Sequence, residues 1–190
     1  MRFLVAVGAL VAFDLLLALF LSVREATAGT ALRLDVPGLV HSSELVLEGR
    51  VLASAPHEAD GMLTTEYLLE VERTWKGAHE ATRAVRMPGG VRADGSGLLI
   101  AGLPALAAGE EVLLFLGPES RAGARLPTGL AQGKFTLERL ADGTKRLRRD
   151  TRALELLADG ELAPGERSRL AYAELLAAIE VALASERSAR

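Results

Sequence analysis

The sequence predicts a mainly β fold: a small barrel of five to seven strands followed by a C-terminal amphipathic helix. Runs of alternating apolar and polar residues recur along the first 150 residues and are separated by turns that contain Gly or Pro, as in short antiparallel strands. Near the C-terminus the apolar residues are spaced by three and four, which is typical of a helix. The chain of 190 residues therefore has the length of one ordinary domain behind an apolar N-terminal segment.

The N-terminal segment has the order of a secretory signal peptide. Residues 1–28 begin with a basic Arg2, continue with an apolar run over 3–23 and end in an Ala-Thr-Ala triplet. This order matches the basic region, the hydrophobic region and the cleavage site of such a signal. We expect cleavage after Ala28, which makes Gly29 the mature N-terminus.

An uncleaved membrane anchor is the alternative interpretation of this segment. The run over 3–23 has 21 residues, close to the roughly 20 that span a bilayer. Asp14 opposes an anchor, because a carboxylate at the bilayer centre costs about 2.5–3.5 kcal/mol. In both cases the rest of the chain lies outside the cytoplasm, in the periplasm, at the cell surface or in the medium. Only the anchor would hold it at the inner membrane, through 3–23.

Composition excludes several classes of protein. The chain has no cysteine, so it has no disulfide framework, no lipoprotein acyl anchor and no thiol nucleophile. An exported domain without cysteine favours a bacterial envelope. A net charge of −3 is not that of a dedicated nucleic-acid-binding protein.

The first predicted strands form a hairpin. Residues 44–53 alternate as a strand, and Gly49 within them predicts a bend or bulge. Residues 54–61 are polar, end in Asp-Gly and predict a loop. Residues 62–75 alternate again, so the two runs form a β-hairpin.

The next strands complete the predicted sheet. Residues 81–87 are a short strand before a glycine-rich loop. Residues 111–116, EVLLFL, are continuously apolar after the first position, which predicts a strand buried on both faces at the centre of the sheet. Residues 130–140 and 144–149 flank Asp142-Gly143, a strong hairpin signal.

Residues 29–150 are therefore expected to form the β-barrel domain and 151–190 a C-terminal extension. A helix is predicted over 167–186, with its apolar face formed by Tyr172, Leu175, Leu176, Ile179 and Leu183. We expect a barrel of the oligonucleotide/oligosaccharide-binding type, because closure leaves no free edge strand.

Five phrases carry a resemblance to known sequences. They are GRVLAS at 49–54, EYLLEVERTWKG at 66–77, MPGG at 87–90, GEEVLLFL at 109–116 and GLAQGKF at 129–135. In this order they resemble a group of uncharacterised exported bacterial domains, which implies export and a β fold but no activity. The hairpin with its WKG phrase is also similar to the netrin-like, or metalloproteinase-inhibitor-like, barrel. Those inhibitors act through an N-terminal cysteine, so the resemblance implies their fold without their inhibition.

The three histidines do not form a metal-binding pattern. His41, His57 and His79 lie in separate predicted loops, with neither H-x-H nor H-E-x-x-H spacing. His57 with Glu58 and Asp60 is the best partial ligand set, but solvated loop residues explain it better. We therefore predict no metal and no cofactor.

Other catalytic patterns are also incomplete. Ser96 lies between two glycines but lacks the G-x-S-x-G elbow, and the glycines at 89–97 are followed by Leu98 where a phosphate loop needs Lys. Glu66, Glu70 and Glu72 share one face of a predicted strand, where paired acid–base work is conceivable. A solvated face of a half-buried sheet is the simpler interpretation.

Two features are candidate binding surfaces. The first is a basic hairpin, formed by Arg139, Lys145, Arg146, Arg148, Arg149 and Arg152 against Asp142 and Asp150. It would bind an anionic polymer, a lipid headgroup or an acidic partner, or, as we favour, it is an edge hairpin whose charges prevent strand association. The second is Trp75, either an interface residue or a cover for one end of the core. The candidate residues are thus Trp75, Arg146, Arg148 and Arg149.

The sequence favours an exported, non-enzymatic binding or interaction module of the bacterial envelope, with a protein or an anionic polymer as partner. The alternatives are an extracytoplasmic hydrolase assembled from distant loops and a structural envelope component. A pocket that gathers His57, Asp60 and Ser96 would favour the enzyme, and a basic groove ending at Trp75 would favour a polymer. An exposed apolar stripe on the final helix would favour a protein partner.

Overall fold

The structure is a computed structural model that describes residues 29–59 and 61–189. The predicted signal peptide and Asp60 lie outside these residues. Within the described residues no helix is long and apolar enough to span a membrane.

In chain order the elements are β1 (Gly29–Leu32), α1 (Val36–His41), β2 (Leu45–Ala59), β3 (Met62–Lys76), β4 (Thr82–Pro88), β5 (Gly90–Val91), β6 (Gly97–Leu98), β7 (Glu111–Leu116), a short 3₁₀ helix (Leu130–Gly133), β8 (Lys134–Arg139), β9 (Lys145–Asp150), β10 (Leu154–Ala158), β11 (Glu161–Pro164), β12 (Arg167–Ala171) and α2 (Tyr172–Ser188).

An open antiparallel sheet of seven strands organises the fold. Its order is β12-β9-β8-β7-β2-β3-β4, and β1-β10-β11 and β5-β6 form two smaller sheets. The two end strands, β12 and β4, do not pair with each other, so the prediction of a closed barrel is wrong. The sheet is covered on both faces by other segments, and its apolar residues are therefore buried without closure.

The central strand β7 confirms the sequence prediction. Every side chain from Val112 to Leu116 is fully buried, and β7 is the fourth of the seven strands. Val112, Leu114 and Leu116 belong to one core cluster, whereas Leu113 and Phe115 belong to another. The alternation of a strand thus divides the apolar run between two layers.

One face of the seven-stranded sheet, here called the helix face, is covered by α1 and α2. Leu39 of α1 and Leu175 and Ile179 of α2 pack there with Phe115 and Phe135. The helix predicted over 167–186 begins only at Tyr172. The preceding Arg167–Ala171 pair with β9 instead, because β9 offers them main-chain partners.

The opposite face, here called the loop face, is covered by the connection from β6 to β7. Leu106 of this connection is buried with Tyr67 and Met87 of strands β3 and β4. Lys134 of β8 holds the connection by donating to the carbonyl oxygen of Ala105 at 2.7 Å. The loop face therefore has a core of its own, separated from the helix-face core by the sheet.

The β2–β3 hairpin is longer than predicted. Residues 54–59, expected as a loop, continue β2 and pair with β3 up to Ala59 opposite Met62. The predicted irregularity at Gly49 is confirmed as a register shift between Glu48 and Gly49. Polar composition alone predicted a loop here, but cross-strand pairing makes these residues a strand.

Candidate functional site

The predicted basic surface is divided between the two faces of the sheet. Leu147 of β9 lies opposite Leu137 of β8, and both pack in the helix-face core. Because side chains alternate along a strand, Arg149 lies on the helix face, whereas Arg146 and Arg148 lie on the loop face. The three candidate arginines therefore form no common surface.

Carboxylates neutralise most of the hairpin cations. Arg139 pairs with Glu111 of β7 at 2.9 Å, Arg148 with Glu138 of β8 at 2.8 Å, and Arg152 with Asp150 at 2.8 Å. Hydrogen bonds from Arg152, followed by those from Arg167, hold the pKa of Asp150 far below its usual value. The hairpin is also not at a sheet edge, because β9 pairs with both β8 and β12. The interpretation as an edge hairpin is therefore wrong, whereas binding of an anionic or acidic partner stays a prediction.

Arg149 is a half-buried residue of the core wall. Its guanidinium carbon lies 5.5 Å from the centroid of the Phe135 ring. Burial lowers the pKa of Arg149. Arg149 Nε and the Oγ of Ser168, its cross-strand neighbour, are buried without a hydrogen-bond partner among the described residues. This guanidinium is not presented to a polymer in solution.

Trp75 covers one margin of the helix-face core. Its half-buried ring packs against that cluster, and the guanidinium carbon of Arg73 lies 5.3 Å from its centroid. Arg146 and Arg148 are on the other face of the sheet. Trp75 thus does not end a groove formed by the predicted basic residues.

A buried carboxylate joins β2, β9 and α2. The side chain of Glu48 is 1% exposed, and its Oε1 accepts from Lys145 Nζ at 2.8 Å. Its Oε2 accepts from the Tyr172 hydroxyl at 2.6 Å. Exposed Glu72 lies 3.3 Å from the same ammonium group. The first residue of α2 is thereby fixed to the centre of the sheet.

The pKa values of Tyr172 and Lys145 move away from neutrality. Burial and the hydrogen bond to Glu48 raise the pKa of Tyr172 to about 12. Burial lowers the pKa of Lys145, but the hydrogen bond and charge of Glu48 outweigh it, so the net shift is upward. A general acid or base works best with a pKa near the operating pH. The cluster is therefore suited to holding α2 rather than to moving protons.

The candidate hydrolase residues do not converge in the described part of the chain. Ser96 donates to Asp94 at 2.7 Å, and Glu58 pairs with Arg92 at 3.0 Å. His57 lies within β2, and its main-chain carbonyl oxygen accepts from Thr64. No pocket that we find gathers His57 and Ser96, and the third member, Asp60, lies outside the described residues.

The other two histidines each contact a residue other than His57. His41, at the end of α1, is 3.4 Å from Glu186, and His79 is 3.2 Å from Thr74. Among the described residues no three His, Cys, Asp or Glu side chains are arranged to hold a metal ion.

The glutamates of β3 lie on the polar side of a half-buried strand. Glu70 and Glu72 are exposed and alternate with buried Leu69 and Val71. Glu66 is half-buried and pairs with Arg86 at 2.7 Å. The pattern is the alternation that the simpler interpretation expected.

A groove with both apolar and polar lining lies between α1 and the last turns of α2. Its volume is about 560 Å³. Its apolar lining comes from Pro37, Val181, Ala182 and Ala189, and its polar lining from His41, Lys76, Ser185 and Glu186. We call it the α1–α2 groove.

The polar end of the groove is an internally satisfied ion pair. Lys76 Nζ lies 3.0 Å from Glu186 Oε1 and donates to the carbonyl oxygen of Val40 at 2.8 Å. The Lys76 and Glu186 side chains are only 20% and 18% exposed. A ligand in the groove therefore meets a fixed, nearly neutral polar end rather than a free charge.

Comparisons with protein-family models, with curated proteins and with solved structures found no match to this chain.

The outer face of α2 continues the apolar wall of the groove. Ala177, Val181, Ala184 and Ser188 are exposed at spacings of four, three and four, and Val181 is 66% exposed. These residues carry no charge and, apart from Val181, are small. Sequence reasoning missed the groove because α1 is only six residues long and gives no helical period. The outward position of Val181 in the α2 pattern was the available signal.

Proposed function

We propose that this chain is an exported, non-enzymatic binding module of the bacterial envelope that binds a helix of a protein partner at the α1–α2 groove. The groove is the observation that carries the proposal. Binding clefts typically have volumes of roughly 300–1,000 Å³ and combine apolar walls with a few placed polar groups. The α1–α2 groove, at about 560 Å³, has both.

The chemistry of the groove favours an apolar helix face as its occupant. Lys76 and Glu186 satisfy each other, so a partner needs no compensating charge at this end. Exposed Ala177 and Ala184 beside Val181 allow another helix to approach closely, since interaxial distances of roughly 8–10 Å depend on the size of the contacting side chains. A partner helix would place one large apolar residue in the groove and small residues along α2.

A protein partner is favoured over an anionic polymer by the state of the cations. A polyanion is attracted by a surface of unpaired positive charge. Arg139, Arg148 and Arg152 are each paired with a carboxylate. Arg146 and Arg149 lie on opposite faces of the sheet, so the local excess of charge has no common direction.

A binding role is favoured over catalysis by the arrangement of titratable groups. The pKa values of Tyr172 and Lys145 are raised, so neither is adjusted to transfer protons near neutral pH. Ser96 is hydrogen-bonded to Asp94 and is not activated by a histidine among the described residues.

Site-specific photocrosslinking tests the proposal. A photoreactive amino acid is placed at Val181, which is 66% exposed. The matched control carries it at Leu162 of β11, which is 56% exposed. Crosslinking in intact cells is expected to give a discrete protein adduct from position 181 only. Ala184→Glu, on the same helix face, is expected to abolish this adduct. Equal products from both positions, no adduct, or insensitivity to Ala184→Glu would contradict the proposal.

A further inference from the structure

The connection between β6 and β7 contains an uncharged apolar stretch, and only part of this stretch is buried in the core. Residues 98–108 read LLIAGLPALAA and have no polar side chain. Residues 98–101 are all exposed, and Leu99 is 87% exposed. Runs of exposed apolar residues are unusual on a soluble surface unless they have a binding role. We call Leu98–Ala101 the apolar loop.

The two halves of the connection have different roles. Leu103 and Leu106 turn inward: Leu106 is buried with Tyr67 and Met87, and Leu103 helps to line a cleft of about 230 Å³ behind the apolar loop. The inner half therefore seals the loop-face core. Leu98, Leu99 and Ile100 line the same cleft but keep 46%, 87% and 37% of their surface exposed.

The hairpin beside the apolar loop enlarges the exposed surface. Val91 of β5 pairs with Gly97, next to Leu98 in β6, and is itself more than half exposed. Four large apolar side chains that line this cleft are thus each more than one third exposed: Val91, Leu98, Leu99 and Ile100.

The N-terminal end of the described chain lies against the apolar loop. A Cβ atom built on Gly29 would lie 2.8 Å from the carbonyl oxygen of Ala101. The 28 residues that precede Gly29 include the apolar run over 3–23, the predicted membrane-directed segment. The chain therefore leaves that segment and enters the domain directly beside its most exposed apolar surface.

We propose that, while residues 1–28 remain attached, the apolar loop inserts into the lipid surface of the membrane to which this N-terminal segment directs the chain. Binding to a membrane interface becomes stronger as more apolar area is buried at the headgroup boundary. The apolar loop supplies such area and has no polar side chain that would have to be desolvated. Lipid explains this surface better than a protein partner does, because it accounts for the apolar loop and the adjacent chain entry together. The inference does not depend on the function of the α1–α2 groove, which lies on the opposite face of the sheet and would point away from the bilayer.

Fluorescence at a unique cysteine tests lipid insertion. The sequence has no cysteine, so Leu99→Cys in the full chain accepts a single environment-sensitive label. Val181→Cys is the matched control, since Val181 is also exposed and apolar but lies on α2. Both proteins are reconstituted in phosphatidylcholine–phosphatidylglycerol vesicles that contain acyl-chain spin-labelled lipid.

The label at position 99 is expected to shift to shorter emission wavelength and to be quenched several-fold more than the label at 181. Leu98→Ser with Ile100→Ser, added to Leu99→Cys, is expected to reduce the quenching toward that of the control. Equal quenching at both positions would show insertion driven by the label and would overturn the proposal. An unquenched, water-exposed label at position 99 would overturn it as well, leaving a protein partner for this surface.

Discussion

Glu48 connects three parts of the chain that are far apart in sequence. Its partners Lys145 and Tyr172 are 97 and 124 residues away. The alternation over 44–53 puts Glu48 on the same side of the strand as Val46 and Arg50. It does not show that α2 covers this side, which makes Glu48 one of the most buried side chains among the described residues.

Removing the charge of Glu48 is expected to destabilise the fold. Glu48→Gln leaves the partly buried Lys145 ammonium with only the exposed Glu72, and breaking a buried pair typically costs about 3 kcal/mol or more. The free energy of unfolding, measured by urea denaturation, is expected to fall by about this amount. The matched control Glu72→Gln is expected to change it by less than about 0.5 kcal/mol. Similar losses in the two variants would contradict the assigned difference in burial.

The raised pKa of Tyr172 leads us to expect that the protein loses stability at alkaline pH. Its pKa in the folded protein is about 12 against an ordinary 10.0, so the folded state favours the protonated phenol. The resulting stability is fully present below pH 10 and is lost as the pH rises toward 12. The difference in unfolding free energy between the wild type and Tyr172→Phe, measured across this range, is expected to shrink as the pH rises. A constant difference would contradict the raised pKa.

Among the elements, the β2–β3 hairpin shows where sequence patterns succeed and where they stop. The alternation over 44–53 and 62–75 predicted both strands, and Gly49 predicted their irregularity. The continuation of β2 through Pro56 and His57 was not predictable, because its evidence is the pairing with β3 rather than its own composition. Likewise, Arg167–Ala171 has a single large apolar residue, Leu170, which fits a helical and a strand period equally well.

Gly49→Ala is expected to disturb the hairpin. A Cβ atom at Gly49 would collide with the main-chain carbonyl oxygen of Glu70, and main chain in a paired strand does not move aside easily. We expect a loss of about 1–3 kcal/mol in the free energy of unfolding, the usual range for forcing extra atoms into a packed site.

Gly117→Ala is the control for this substitution. A Cβ atom there would lie 3.5 Å from the Leu126 carbonyl oxygen, an ordinary contact. Its unfolding midpoint in urea is expected to stay close to that of the wild type. Equal destabilisation by the two substitutions would indicate that the close approach at Gly49 is not the cause.

For the whole molecule, the sequence predicted the β class and the C-terminal helix but not the open sheet. A barrel was expected because closure removes edge strands. Whether a sheet closes depends on what covers its two faces, and here the connection containing Leu106 covers one face while α1 and α2 cover the other. Which segment covers which face is decided by tertiary packing, and the periodicity of the strands carries no information about it. The α1–α2 groove was missed for the same reason.

The predicted export signal is tested on the intact protein. Cleavage after Ala28 is expected to give a mature chain whose measured mass begins at Gly29. Mass spectrometry of the protein from the envelope fraction checks this. A mass that retains residues 1–28 would contradict cleavage and favour the anchor, and recovery of the protein only from the cytoplasm would contradict export.

The open sheet has a consequence for the solubility of the protein. A bare edge strand is a template on which a second chain can add, which leads to fibrils. At one end, the Arg125 N–H bonds the main-chain oxygen of Arg86 in β4 at 2.8 Å and occupies part of that edge. At the other, β12 carries Arg167 and Arg169, which pair at 2.8 Å with Asp150 and at 3.8 Å with Glu138. A second copy that added here would have to accommodate these long ion-paired side chains. We therefore expect the short bonded segment at β4 and the two arginines at β12 to oppose strand addition at the two edges.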